Sequence, residues 1–307
     1  MTLPEGYGLR PATVDDDLEA AVAILRACDL HDVGFADDVS GWIRDDWLGS
    51  SHRGGWMVDD PSGAPCAFAN LAASDPGATI DSFCPVLPEH RRGVRPALVR
   101  HLETEARTIA VGAPALLLNF SATEGAAPDA EAAGFDLVRT FWHMHRPVDP
   151  SFRSIDPPVG VTIRPYVAAE DDRLSWALIQ DAFAGHFGID PMSFEDYRHD
   201  VIDSDMWDPS LASIAELDGT PVGIVTCFLL GDVGWVGDLG VVASGRNLGI
   251  GRALLERAFE GLTTRGASHL QLNVDSGNET GATRLYEAAG MTVRRSFHCY
   301  EKRLTPG

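Results

Sequence analysis

Asp238-Leu239-Gly240-Val241-Val242-Ala243-Ser244-Gly245-Arg246-Asn247-Leu248-Gly249-Ile250-Gly251-Arg252-Ala253-Leu254-Leu255 is the stretch on which the reading of this chain turns. Its opening apolar residues end a strand expected over Val233 to Val242. From Arg252 the apolar residues Ala253, Leu254, Leu255, Ala258, Phe259 and Leu262 recur with the period of a helix reaching Thr264. A strand, a glycine turn and a helix start in that order expose successive backbone N–H groups. The first helical turn adds unpaired donors and the positive end of its dipole. Such a turn is an anion site, and a phosphate is expected on its backbone. Gly249 and Gly251 permit positive φ and close approach, while Arg246 and Arg252 add charge. Alone, two glycines would mark only a tight connection, so the flanking sequence decides.

Outward from this stretch the second half alternates strand and helix. Val161 to Arg164, Ser213 to Leu217, Val222 to Leu229 and His269 to Val274 read as strands, and Thr292 to Arg303 as a strand pair or one long strand. Asp172 to Phe183 and Glu279 to Ala289 read as helices. Downstream lies Leu272-Asn-Val274-Asp-Ser-Gly-Asn278-Glu-Thr-Gly-Ala282-Thr-Arg-Leu285-Tyr286-Glu-Ala-Ala-Gly290-Met291. Here Asn278 is an expected N-cap, Ala282 and Leu285 should face the sheet, and Gly290 should close the helix. Tyr286, taken alone, is an aromatic of the core or of a pocket rim.

Arg246-Asn247-Leu248-Gly249-Ile250-Gly251 resembles the Gln/Arg-x-x-Gly-x-Gly/Ala motif of the Gcn5-related N-acetyltransferase superfamily, with Val241 at the usual strand position. The Leu272 to Met291 stretch resembles that family's other signature. The resemblance implies an α/β (α+β) domain, a mixed, mostly antiparallel sheet flanked by helices, that uses acetyl-CoA as co-substrate and no metal. It implies that the coenzyme lies along Leu239, Gly240, Val241, Arg246, Asn247, Leu248, Gly249, Ile250, Gly251, Arg252, Asn278, Ala282 and Tyr286. Backbone N–H groups of Leu239 to Val241 would hold the developing oxyanion, and Tyr286 would protonate the departing thiolate.

The proton acceptor is less plain. An amine arrives protonated and must lose a proton before it attacks. In the family a Glu often stands 11 residues before the Arg, and 246 − 11 = 235 is Trp235 here. Asp238 on the same strand is the nearest substitute, as base, amine-binding group or structural residue. Trp235, Asp238 and His186, which follows the first helix of this half, are the candidate substrate residues. His298, Cys299 and Tyr300 lie on the last strand; Cys299 has no identifiable partner base, so direct transfer in a ternary complex is preferred to an acyl-enzyme.

The chain also repeats itself. Leu9-Arg10-Pro11 with Asp15-Asp16-Asp17 matches Ile163-Arg164-Pro165 with Glu170-Asp171-Asp172, a shift of 163 − 9 = 154. Glu131-Ala-Ala-Gly134-Phe135 matches Glu287-Ala-Ala-Gly290-Met291, a shift of 287 − 131 = 156. Two tandem domains of this family are therefore expected, a degenerate one at residues 1–148 and a catalytic one at 160–307, with a proline-containing linker at 149–159. In the first copy the glycine turn is irregular around His90-x-x-Gly93-x-Arg95. The position of Tyr286 falls on Ala130 there, since 286 − 156 = 130. Three roles stay open for this copy: binding a second CoA, completing the substrate pocket, or packing. A tandem pair with only the second copy intact resembles a two-domain branch that acetylates the cysteinyl amine of a small glycoside-linked thiol. The missing Glu counts against an identical mechanism.

A formal net charge of −21 argues against a nucleic-acid or anionic-membrane binder and suits a small, cationic amine substrate, though an acidic surface also serves solubility alone. Five scattered cysteines show no metal-ligand spacing. With no signal-peptide pattern and no run long enough to span a bilayer, a cytoplasmic protein is expected.

Overall fold

The computed structural model describes residues 2–37, 40–73, 79–109, 115–121, 125, 127–278 and 280–304. The elements in chain order are β1 (Gly8–Pro11), α1 (Val14–Asp32), α2 (Ser40–Leu48), β2 (His52–Asp59), β3 (Pro65–Ala72), β4 (Ile80–Phe83), α3 (Arg91–Ile109), β5 (Ala115–Ser121), α4 (Ala127–Ala132) and β6 (Asp136–Pro147). They continue with β7 (Val161–Pro165), α5 (Asp172–Ala182), α6 (Phe194–Tyr197), β8 (Ser213–Leu217), β9 (Thr220–Leu230), β10 (Val233–Val241), α7 (Ile250–Thr264), β11 (His269–Asp275), α8 (Ala282–Ala288) and β12 (Thr292–Arg303).

These form two compact units, Met1–Phe141 with Arg295–Gly307, and Trp142–Arg294. Compactness thus divides the chain differently from the expected spans of 1–148 and 160–307. The last strand is the reason: Phe297 to Arg303 of β12 pairs antiparallel with Ala115 to Ser121 of β5, inside the first unit. At the other boundary the N–H of Val148 donates to Ser268 O at 3.1 Å, inside the second. In the first unit β1, β2, β3 and β4 are antiparallel neighbours and β4 runs parallel to β5. In the second, β7, β8, β9 and β10 are antiparallel neighbours and β10 runs parallel to β11. Each is a mixed, mostly antiparallel sheet flanked by helices.

The duplicated Arg-Pro and acidic segments do the same work in both units. Arg10 donates to both carboxylate oxygens of Asp17 at 2.9 and 2.7 Å, and its Nε to Asp59 at 2.9 Å. Arg164 donates to both oxygens of Asp171 at 2.6 and 2.8 Å, and its Nε to Glu216 at 2.8 Å. A guanidinium fork fits a carboxylate in this two-bond geometry, so the pair ties the first strand to the following helix. In each case the Asp also accepts a backbone N–H, from Thr13 at 3.0 Å and from Val167 at 2.8 Å. The guanidinium hydrogen bond is the main reason both carboxyls, Asp17 and Asp171, are held below the usual range.

The copies part at the turn after the parallel strand. In the first unit the chain passes through a 3-10 turn, Pro88–His90, directly into α3. No residue from 85 to 95 has a left-handed backbone. A Cβ on Gly93 would lie 2.9 Å from Pro4 Cγ, so the N-terminal segment occupies the space over that helix start. Tyr7 OH and His90 Nδ1 share a hydrogen bond of 2.7 Å there. Arg95 is buried, with its Nη1 3.6 Å from Asp129.

Because Tyr300 of β12 is 2% exposed among Leu98, Leu102 and Phe135 of the first core, Tyr300→Ala should destabilise that unit by about 3–5 kcal/mol. Amide hydrogen exchange should show protection lost from β2 to β5 while α7 and β9 keep theirs.

Candidate active site

Strand β10 treats its two neighbours differently. Parallel pairing with β11 covers Val233/His269, Gly234/Leu270 and Trp235/Gln271, and ends there. Against β9 the register jumps between Val236/Cys227 and Leu239/Val225, so Gly237 and Asp238 together oppose Thr226. This is a β-bulge, which bends the strand and re-aims its side chains. A Cβ on Gly237 would lie 3.0 Å from Thr226 Oγ1, tighter than ordinary packing. The Thr226 hydroxyl accepts from the N–H of Asp238 at 2.8 Å and donates to its Oδ2 at 3.2 Å. One side chain thereby fixes both the bulge and the carboxylate.

Asp238 keeps some exposed surface, yet its surroundings are dry enough to push its carboxyl up, against the opposing pull of the Thr226 bond. Burial pushes the phenol of Tyr286 up to about 12, and the charge of Asp238 adds to it. Tyr197 is likewise pushed up to about 12, by burial first and with Asp238 contributing. Tyr286 is 7% and Tyr197 2% exposed. Both therefore keep their protons at neutral pH. A phenol in that state can donate but does not draw a proton from an ammonium ion, whereas Asp238 can accept one.

The glycine turn follows β10. Asn247 and Gly249 have left-handed backbones, φ 62° and 81°, and Gly249 opens α7. The first helical bond of α7 is that of the Ala253 N–H to Gly249 O at 3.1 Å, so the N–H groups at its start stand before the ladder, at the positive end of its dipole. The arginines are engaged with the protein instead. Arg246 donates from Nε to Val241 O at 3.0 Å and from Nη2 to Ala182 O at 3.1 Å. Arg252 pairs with Glu256 and donates from Nη1 to Ala288 O at 3.0 Å. Arg246 thus braces the turn against β10 and α5, which leaves the backbone N–H groups as the donors an anion would meet. A pyrophosphate fits this donor set. Val241 and Leu285 pack beneath Gly251, at 3.9 and 3.5 Å from where its Cβ would be. Leu248 is exposed at the turn's tip, and Ile250 is buried beneath it.

Gly240 is the closest approach of β10 to α5: a Cβ there would lie 2.8 Å from Ala182 Cβ and 3.3 Å from Phe183 Cε2. His186 is half-buried in the turn after α5, its ring edge-on to Phe183 at 5.3 Å. It therefore stands beside the Leu239–Val241 strand, one aromatic ring removed. Trp235 does not line an opening: it is 3% exposed, perpendicular to His143 at 5.0 Å and stacked on Phe228 at 6.2 Å.

Helix α8 is shorter than expected. It begins at Ala282 behind Gly281 (φ 85°), so Asn278 is not its N-cap. Asn278 instead accepts from the N–H and Oγ1 of Thr280 at 2.8 and 2.5 Å. Glu279 lies outside the described residues. The other end forms as expected, with Gly290 at φ 80° and the N–H of Met291 bonded to Tyr286 O at 3.0 Å. Cys299 belongs to the first unit, where burial pushes its thiol up to about 12. A thiolate nucleophile is disfavoured there. Tyr197 escaped the sequence reading. The available signal was the cap Ser193, whose hydroxyl accepts from the N–H of Asp196 at 3.1 Å and starts α6. Among the described residues no cluster of His, Cys, Asp or Glu could hold a metal ion, and no helix is long and apolar enough to cross a membrane.

Residues 175–291 match the acetyltransferase (GNAT) family. Mycothiol acetyltransferase of Beutenbergia cavernae is 30% identical over 297 residues, covering 91% of this chain and 95% of its own. That of Thermomonospora curvata is 32% identical over 235 residues, covering 75% and 76%. Among solved structures, a GCN5-related N-acetyltransferase from Sphaerobacter thermophilus superposes with a TM-score of 0.83 at 27% identity, over 100% of this chain and 98% of its own. A tandem GNAT protein of the clavulanic acid pathway shares the fold, with a TM-score of 0.73 at 15% identity over 98% and 99%.

Gly249→Val should lower stability by about 1–3 kcal/mol through its left-handed backbone, and its Cβ would meet Pro158 Cγ at 3.3 Å. Calorimetry with coenzyme A should show affinity reduced at least about tenfold, while circular dichroism shows the fold retained.

Proposed function

The chain belongs to the GNAT family of acetyltransferases, and on that premise we propose that its second unit moves an acetyl group from acetyl-CoA to a primary amine of a small molecule by direct transfer. The observation that carries this reading is the left-handed turn at Asn247 and Gly249, which leads into the N–H end of α7 after β10 has parted from β11. Acetyl-CoA would supply the activated thioester. The turn holds the pyrophosphate, and backbone N–H groups of Leu239 to Val241 face the carbonyl oxygen as it gains charge. Asp238 binds the incoming ammonium and takes its proton, directly or through water. The amine nitrogen bonds to the carbonyl carbon, the carbon–sulfur bond breaks, the sulfur's electron pair takes the proton of Tyr286, and the second proton of the nitrogen passes through water to the phenolate, leaving a neutral amide.

The acceptor follows from charge and kinship. A net charge of −21 favours a cationic amine, and the relatives' name makes the cysteinyl amine of a small glycoside-linked thiol the first acceptor to assay. The competing reading is an acyl-CoA-binding sensor without turnover, which rests on Trp235 standing at the position where the family often has a Glu. Acetyl-CoA binding without thiol release across a panel of amines would favour it.

Tyr286→Phe should lower kcat about 10²-fold with acetyl-CoA affinity preserved, in a steady-state assay of released thiol. Because the carboxyl of Asp238 is held up and must be ionised to accept a proton, kcat/KM should fall as pH drops, in a limb lying above the ordinary aspartate range. Asp238→Asn should abolish that limb; an unchanged pH profile in this variant would remove Asp238 from the mechanism.

A further inference from the structure

The first unit has lost the glycine turn but holds a half-open cavity of its own, about 240 Å³, bounded by α1, α2, β3, β4 and the last strand. Its elements α1, α2, β3 and β4 correspond to α5, α6, β9 and β10, which carry Tyr197 and Asp238 in the second unit. An apolar cavity of about 150 Å³ admits benzene, so this one has room for a somewhat larger molecule.

Its wall combines aromatic rings with carboxylates. Trp42, Trp47, Phe68, Phe83 and Phe297 line it. Trp47 meets Phe68 edge-on at 5.9 Å, and Phe68 meets Phe83 at 6.1 Å, which locks the ring set in place. The carboxylates are unequal. Asp32 is matched to Arg91 by two bonds of 2.7 Å, and Asp29 to Arg295 at 2.7 Å. Asp46 has no cation among the described residues; it accepts from Nδ2 of Asn70. Asn70 is itself anchored by accepting the N–H of Phe83 at 3.0 Å, so a neutral amide holds the carboxylate at the wall. Burial pushes the Asp46 carboxyl up to about 6, as expected for a charge no cation compensates. Arg295 and Arg91 answer Asp29 and Asp32, so the negative charge of the wall that no cation of the described residues balances is the one on Asp46.

We propose that this cavity binds a small organic ammonium ion, an apolar or aromatic body bearing one amine, with the cation held by Asp46 and the body packed among the indole and phenyl rings. Aromatic faces attract a cation, and a carboxylate in the same dry wall adds a charge-assisted hydrogen bond. This assignment is independent of the reaction proposed for the second unit.

Phenethylammonium chloride, titrated into the full-length protein, is the probe, with 2-phenylethanol as its neutral isostere. Phenethylammonium should bind saturably and at least about tenfold more tightly than the alcohol, and the indole N–H resonances of Trp42 and Trp47 should shift. Asp46→Asn should erase the preference for the cation, whereas Asp238→Asn should leave the Trp42 and Trp47 shifts intact. Equal affinity for the two probes, or wild-type indole signals that do not move, would overturn the proposal even if Asp46→Asn fails to fold. Loss of those shifts in Asp238→Asn would place the binding elsewhere and overturn it too.

Discussion

The bulge that sets Gly237 and Asp238 against Thr226 is the constraint from which the second unit's geometry follows. An extra residue in one strand forces a bend, and β10 is paired with β11 only through Trp235. Beyond that point two parallel strands diverge, which leaves backbone donors of β10 facing an opening instead of a neighbour. The same bulge turns Asp238 into dry surroundings near two tyrosines, where its charge acts on both. A flat β10 would keep its ladder and close the opening.

What surrounds the bulge keeps it rigid. Gly240 lets α5 press on the strand, and Arg246 spans from the turn to both Val241 and Ala182. Arg246 is thus a brace for the turn, and the proposed anion site rests on backbone donors and the helix dipole. Fixed dipoles need no reorganisation when a phosphate arrives, whereas a flexible arginine would lose rotamer freedom on binding.

The duplication shows how far one architecture diverges while its local clips persist. Arg10 with Asp17 and Arg164 with Asp171 are superposable in chemistry, because strand and helix must be joined in either copy. The turn has no such structural necessity. In the first copy Pro88 starts a 3-10 turn, Pro4 covers the helix start, and Ala130 stands where the second copy has Tyr286. That copy nonetheless keeps a cavity bounded by α1, α2, β3, β4 and the last strand, with an aromatic and acidic wall.

Much of this was legible in the residues themselves. The glycine turn, the apolar period of α7, the repeat and the Gly290 helix end all rest on local backbone chemistry, which neighbouring residues determine: positive φ at Gly249 and Gly290 and unpaired N–H groups at a helix start. Other features depend on partners distant in sequence. Asn278 looked like a cap, but the helix starts after Gly281. Trp235 looked like a pocket residue, but its ring is enclosed by His143 and Phe228. Tyr197 carried no local mark beyond Ser193, and the assignment of Phe297 to Arg303 to the first unit depends on pairing with β5. The sequence by itself determined the family's motifs and the turn, because those are set by torsion angles and by spacing along the chain. The electrostatic setting of Asp238, the packing of Trp235 and the ownership of the last strand were decided only by tertiary structure, because burial and strand pairing are properties of what lies across a gap rather than along the backbone.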